Sequence, residues 1–193
     1  MKKLKGLLLL SVGLLALTSC GGGESDPGAS VALFKTVKLH TETTPDQIVV
    51  QIASGNTCTN NVISGTVNPG VTDPTVTVLS SIYNSTITGQ NVSLNSYTVT
   101  FSPIAGAPAI PGNLALGLQG WFGGIVPPGN SASRDIPVTT AALTDFFATN
   151  SSIASCTPTQ YKYYATINIA GTEESGTDGT IRAVVPVTFT NIQ

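Results

Sequence analysis

Imidazole, thiol, indole and thioether side chains are nearly missing from this sequence, which has one histidine, three cysteines, one tryptophan and one methionine in 193 residues. A Ser-His-Asp arrangement needs a base held against a nucleophile. His40 is the only base of that kind, and no GxSxG elbow or SxxK motif supplies a nucleophile for it. It reads as a surface side chain on an early strand. One histidine and these cysteines do not make a zinc set of recognised spacing, and no cofactor is expected. Charge is scarce as well, at 9% of residues. With no basic cluster to hold phosphates, nucleic acid is not expected as a partner. A membrane-spanning run is also missing: the uncharged apolar stretch from Leu7 to Leu17 falls short of the roughly 20 residues needed to cross a hydrocarbon core.

What the first residues do hold is an export signal. Lys2, Lys3 and Lys5 precede the apolar stretch, and small residues lead up to Cys20, the three-part layout of a segment removed on export. The ending Leu17-Thr18-Ser19-Cys20 resembles the lipobox of bacterial lipoproteins: an aliphatic residue, two small ones, then cysteine. The resemblance implies that residues 1–19 are cleaved, that the Cys20 thiol carries a diacylglycerol, and that the new amine is acylated with palmitate-type chains. An ordinary secretory signal followed by a chance cysteine is the other reading of the same residues. Two or three acyl chains anchor a protein stably, whereas a single one binds reversibly. Gly21, where lipoproteins retained in the inner membrane often carry Asp, implies the outer membrane in a diderm host. Residues 20–30, CGGGESDPGAS, are small and polar and read as a flexible tether reaching at most about 35 Å. The address expected is therefore the cell envelope, with the membrane reached through lipid on Cys20.

Residues 31–193 are the size of one domain. Without the signal lysines the chain has five basic residues against ten acidic ones, a net charge of −5. Its Thr, Ser, Asn, Val, Ile and Gly are residues of strands and turns. Period-two alternation is clearest late in the chain. Tyr161, Tyr163, Ala165, Ile167 and Ile169 share one face of a strand, and Ile181, Ala183, Val185, Val187 and Phe189 share one face of the next. The acidic, glycine-rich GTEESGTDGT between them makes a long hairpin. Pro186 has no N–H for a ladder, which predicts an edge or a bulge there. Earlier strands are expected near 31–39, 46–53, 74–83 and 95–103, the last with Tyr97, Val99 and Phe101 inward. SGNT at 54–57 reads as a turn. Residues 102–133, rich in Pro and Gly, read as an excursion with one or two short strands. In TTAALTDFFATN, Leu143, Phe146 and Phe147 fall at helical spacing behind the cap candidates Thr139 and Thr140. The whole predicts an all-β, antiparallel β-sandwich with one short helix. It resembles the immunoglobulin-like and fibronectin-like modules of bacterial surfaces in pattern, without a diagnostic motif.

Cys58 and Cys156 remain as a pair once Cys20 is lipidated, and an oxidising compartment predicts a disulfide between them, two free buried thiols being the alternative. It would tie loops together across 98 positions. Glu173, Glu174 and Asp178 are weak calcium candidates, because their turn lacks the DxDxDG spacing of a calcium loop; a solvated hairpin tip is the other reading. The ten acids, scattered in turns, single out no pair for glycoside hydrolysis. Trp121 and Phe122, in a glycine-flanked loop, are candidates for contact with a partner or sugar, with Tyr164 as a third. Core filling is the competing role for Trp121, and coverage of neighbouring strands for Tyr164. These features predict a non-catalytic, lipid-anchored envelope module that binds or supports other envelope proteins. A carbohydrate-binding surface module is the alternative, and an envelope hydrolase a third.

Overall fold

The computed structural model describes residues 31–52, 54–59, 62–66, 73–104, 106–115, 118–149 and 159–191. Along the chain these residues form β1 (Ala32–Leu33), β2 (Val37–Thr44), β3 (Ile48–Gln51), β4 (Ser54–Thr59), β5 (Val62–Thr66), β6 (Thr75–Ile82) and β7 (Val92–Pro103). They continue with α1 (Gly112–Ala115), β8 (Gln119–Val126), β9 (Ser131–Asp135), α2 (Ala141–Thr149), β10 (Gln160–Glu173) and β11 (Asp178–Thr190). The fold is all-β, and its two main sheets run β1-β2-β6-β9 and β3-β11-β10-β7-β8, with β4-β5 as a separate pair. They face each other as a sandwich. Among the described residues the chain changes sheets after β2, at the cis peptide Thr44–Pro45, so that β2 lies in one sheet and β3 in the other. The neighbour orders β2-β6-β9 and β7-β10-β11 follow the A-B-E and C-F-G orders of an immunoglobulin-like sandwich.

The backbone of the larger sheet is the hairpin β10/β11, paired from Gln160↔Thr190 to Thr172↔Asp178. Because side chains alternate across a strand, the register Ala165↔Val185, Ile167↔Ala183 and Ile169↔Ile181 stacks one apolar face of both strands, and all six side chains are buried. Val37 and Leu39 of β2 with Val76 and Val78 of β6 close the core from the other sheet. At one end sits an aromatic cluster: the Phe147 and Phe189 rings stack at 4.1 Å, and Tyr163 meets both edge-on. The Tyr163 hydroxyl donates to the Pro108 carbonyl at 2.7 Å. Burial, with a smaller contribution from Tyr161, pushes this phenol well above its ordinary range. Helix α2 delivers Phe147 and Leu143 to the core. Its N-cap is Thr140, whose hydroxyl accepts from Leu143 N–H at 3.2 Å.

Four local expectations change. The strand expected over 31–39 is two, because Phe34–Thr36 turn back and Phe34 N–H donates to the Val37 carbonyl, pairing Leu33 with Lys38. SGNT belongs to β4 and not to a turn, the single helix is joined by the short α1, and the pairing is not wholly antiparallel, since β3 runs parallel to β11. Pro186 lies one residue before that pairing begins at Val187, so the β3-side flank of β11 is an edge there. The excursion supplies two strands, β8 and β9, which are edge strands on the same side of the sandwich.

Candidate functional site

Strand β8 is QGWFGGIV, and its alternation places Trp121 outward and Phe122 inward: Trp121 is 62% exposed and Phe122 is fully buried. Trp121 stands opposite Ser96 of β7. Its ring lies over the outer side of Gly123, where a Cβ would meet the indole Nε1 at 2.7 Å. Gly123 and Gly124 have φ of 65° and 144°, conformations that side chains disfavour. The β7/β8 register shifts across Leu94 and Ser96 at that point. Ile125, 60% exposed, continues the strip two positions beyond Gly123. On the inner side, a Cβ at Gly120 would lie 2.7 Å from the Tyr97 hydroxyl, so the phenol packs against bare backbone.

Arg134 of β9 stands opposite the buried Val76 and therefore leans from the inner side of its sheet toward β8. Its Nη1 donates to the Phe122 carbonyl at 2.8 Å, joining the two edge strands beside Trp121. Two carboxylates lie on the inner side, within the field of Tyr97 or of each other. Asp73 is pushed above its ordinary range by burial first and by the charge of Asp135 second. Asp135 accepts from the Thr75 hydroxyl at 2.5 Å. Tyr97 is raised by burial, with Arg134 opposing and Asp73 adding to the shift, so phenol, guanidinium and carboxylates share one local field. The result is an exposed indole and an exposed isoleucine on an edge strand, with the Arg134 guanidinium beside them.

No protein-family model, curated protein or solved structure matches this chain. Its chemistry rests on the residues alone.

The structure separates the three aromatic candidates. Phe122 is a core residue and drops out as a partner contact, because β8 is a strand that sends successive side chains to opposite faces at 121 and 122 and not a loop with both rings on one side. Core filling falls to Phe122, and Trp121 is released to solvent. Tyr164 is half-buried opposite Ser102, six positions along β7 from Ser96 and hence about 20 Å from Trp121. It borders a shallow cavity of about 180 Å³ with Lys162, Gln47, Pro186 and Thr188. The two rings form no common platform.

The calcium candidates are also dispersed, and no group of three or more His, Cys, Asp or Glu residues that would hold a metal occurs among the described residues. Glu173 points inward, 1% exposed, and its carboxylate accepts from Thr36 N–H, the Thr36 hydroxyl, Lys35 N–H and the Ser175 hydroxyl. Burial alone would raise its pKa; these hydrogen bonds prevail and lower it. Glu174 accepts from Asn91, and Asp178 from Thr172. His40 is half-buried on the outer face of its sheet, opposite Leu79. Cys58 lies in β4, paired with Ile63 at the backbone, whereas Cys20 and Cys156 lie outside the described residues, and so does the expected disulfide. Among the described residues no helix is long and apolar enough to cross a membrane. Sequence reasoning missed Ile125 and Arg134 beside Trp121, and the grouping of Tyr97 with Arg134, Asp73 and Asp135. Period-two spacing from Trp121 to Ile125 was the one available signal; the others meet only through sheet pairing.

Proposed function

We propose that this chain is a non-catalytic, lipid-anchored binding module of the cell envelope whose contact patch is the β8/β9 edge, with Trp121 as its anchor. The observation that carries the reading is a sole tryptophan, 62% exposed, held on an edge strand that Arg134 ties to its neighbour. Large aromatics and arginine dominate interface energetics when they meet a partner on a rigid support. Stability does not require the indole to face water. Ile125 beside it extends the patch in the manner of a protein contact. Carbohydrate binding is the second reading, supported by one exposed stacking surface with the Arg134 guanidinium beside it.

The address and the patch are tested separately. Intact mass and non-reducing peptide mapping of the protein purified from its native membrane are expected to give a diacylated or triacylated Cys20 and a Cys58–Cys156 bridge. An uncleaved chain with free thiols would overturn the address. For the patch, a photo-crosslinker at Gln119 in intact cells is expected to yield discrete adducts that Trp121→Ala reduces at least tenfold and Tyr164→Ala leaves in place. Trp121→Ala should leave the melting curve within about 0.5 kcal/mol of the parent, as for an exposed substitution. Adducts indifferent to Trp121→Ala would remove this site. Fluorescence of the sole tryptophan during titration with a glycan panel separates the two readings, since only sugar stacking would shift it.

A further inference from the structure

The outer face of the β1-β2-β6-β9 sheet changes character along its strands. In the rows nearest the β1 turn, the register sets Leu33 beside Lys38 and Ser81, and His40 beside Leu79. Val31 and Leu33 are 56% and 67% exposed, and Tyr83, just past β6, is 42% exposed. Lys35 and Lys38 are both exposed here, two of the five basic residues that remain after the signal. The rows at the other end hold Glu42 beside Thr77 and Ser133, and Thr75 beside Asp135. An apolar and basic end thus adjoins a polar and acidic one on the same sheet.

The position of the preceding chain says what meets the apolar end. Residues 20–30 are the expected tether, and the described chain begins directly at Val31, within the exposed apolar patch. Given the lipid anchor proposed above, on which this inference rests, about 35 Å of slack at most separates the patch from the acyl chains. Exposed aliphatic and tyrosyl side chains with flanking lysines suit an anionic interface, in which apolar groups enter the headgroup layer and the ammonium groups meet phosphate. We infer that the β1 end of this face, comprising Val31, Leu33, Lys35, Lys38, Leu79 and Tyr83, lies against an anionic bilayer surface, orienting the domain on the membrane. β9 is the opposite edge of that four-stranded sheet, about 14 Å away across three strand spacings. This orientation turns Trp121 away from the lipid.

The experiment uses the full, membrane-purified protein in vesicles of three parts phosphatidylcholine to one part phosphatidylglycerol, with brominated acyl chains as quencher. The parent reports through Trp121, and a Leu33→Trp, Trp121→Phe variant reports from position 33. Quenching at position 33 is expected to exceed that of Trp121 at least threefold, and to fall to the Trp121 level on adding Lys35→Glu with Lys38→Glu. Melting curves equal to the parent's verify that the variants fold. Equal quenching at both positions in acylated protein would overturn the docking face and leave the anchor standing. A position-33 signal that instead follows protein density, without quencher, would mean that a second copy covers the face, and would equally overturn the proposal. An unacylated Cys20 in the mass spectrum would remove the anchor and the docking with it.

Discussion

Phe189→Ala is expected to lower the unfolding free energy by about 3–5 kcal/mol, the range for removing a large buried aromatic. The ring is fully buried, stacks on Phe147 at 4.1 Å, and lies 5.7 Å from Tyr163 and 6.5 Å from Phe101. Truncation removes apolar area and opens a void between α2 and β10. Neither side can collapse freely into it, because Tyr163 is tied by its hydroxyl to Pro108 and Phe147 is carried on a capped helix. A domain of ordinary stability has about 5–15 kcal/mol in total, so the variant should denature at markedly lower urea. Phe147→Ala should lose a similar amount. The double variant should lose less than the sum, since both deletions empty one site. Urea titration of the three variants checks this; an additive pair would mean that the rings stabilise the fold independently.

Glu173→Ala should be nearly as damaging, at about 3 kcal/mol, because four donors would lose their acceptor and buried donors left unpaired are costly. Glu173→Gln should cost roughly half as much, since an amide oxygen still accepts but one donor-facing oxygen becomes NH₂. The two substitutions also make a pH prediction. The folded-state pKa of Glu173 is depressed below the ordinary 4.5. Its contribution is therefore fully present above pH 4.5 and disappears as the pH falls through the lower folded value. The stability gap between the parent and Glu173→Gln should be constant near neutrality and narrow with acidification below about pH 4.5. Chemical denaturation across pH 3 to 7 reads it directly, and a gap that widens in acid would refute the role assigned to the carboxylate.

This carboxylate marks the limit of what the sequence made legible. Glu173 stands in a glycine-rich acidic turn, and its local pattern describes a solvated tip. Only the pairing of a late hairpin with the turn at Lys35 and Thr36, 137 positions earlier, buries it. Strands β10 and β11 were readable because alternation over more than ten residues encodes both the element and its inward face. Helix α2 was readable because a cap and an apolar spacing coincide. Trp121 was not, since glycines on both sides erase the alternation that separates a strand from a loop, and the outward direction of its ring depends on pairing with β7. For the same reason its neighbour Arg134 was invisible, since it comes from the opposite sheet. The split between β1 and β2 turned on three residues with no glycine or proline to announce the bend.

The positions of β10 and β11 also impose an order of events on the chain. Among the described residues, β3 hydrogen-bonds in its sheet only to β11, and β7 is joined to it through β10. Synthesis proceeds from the N-terminus, so β3 and β7 emerge more than a hundred and more than fifty positions, respectively, before their central partners. Until Gln160 onward has emerged, the larger sheet has no middle and Glu173 cannot reach the β1 turn. The connectivity itself therefore postpones closure of the core until the last hairpin has emerged.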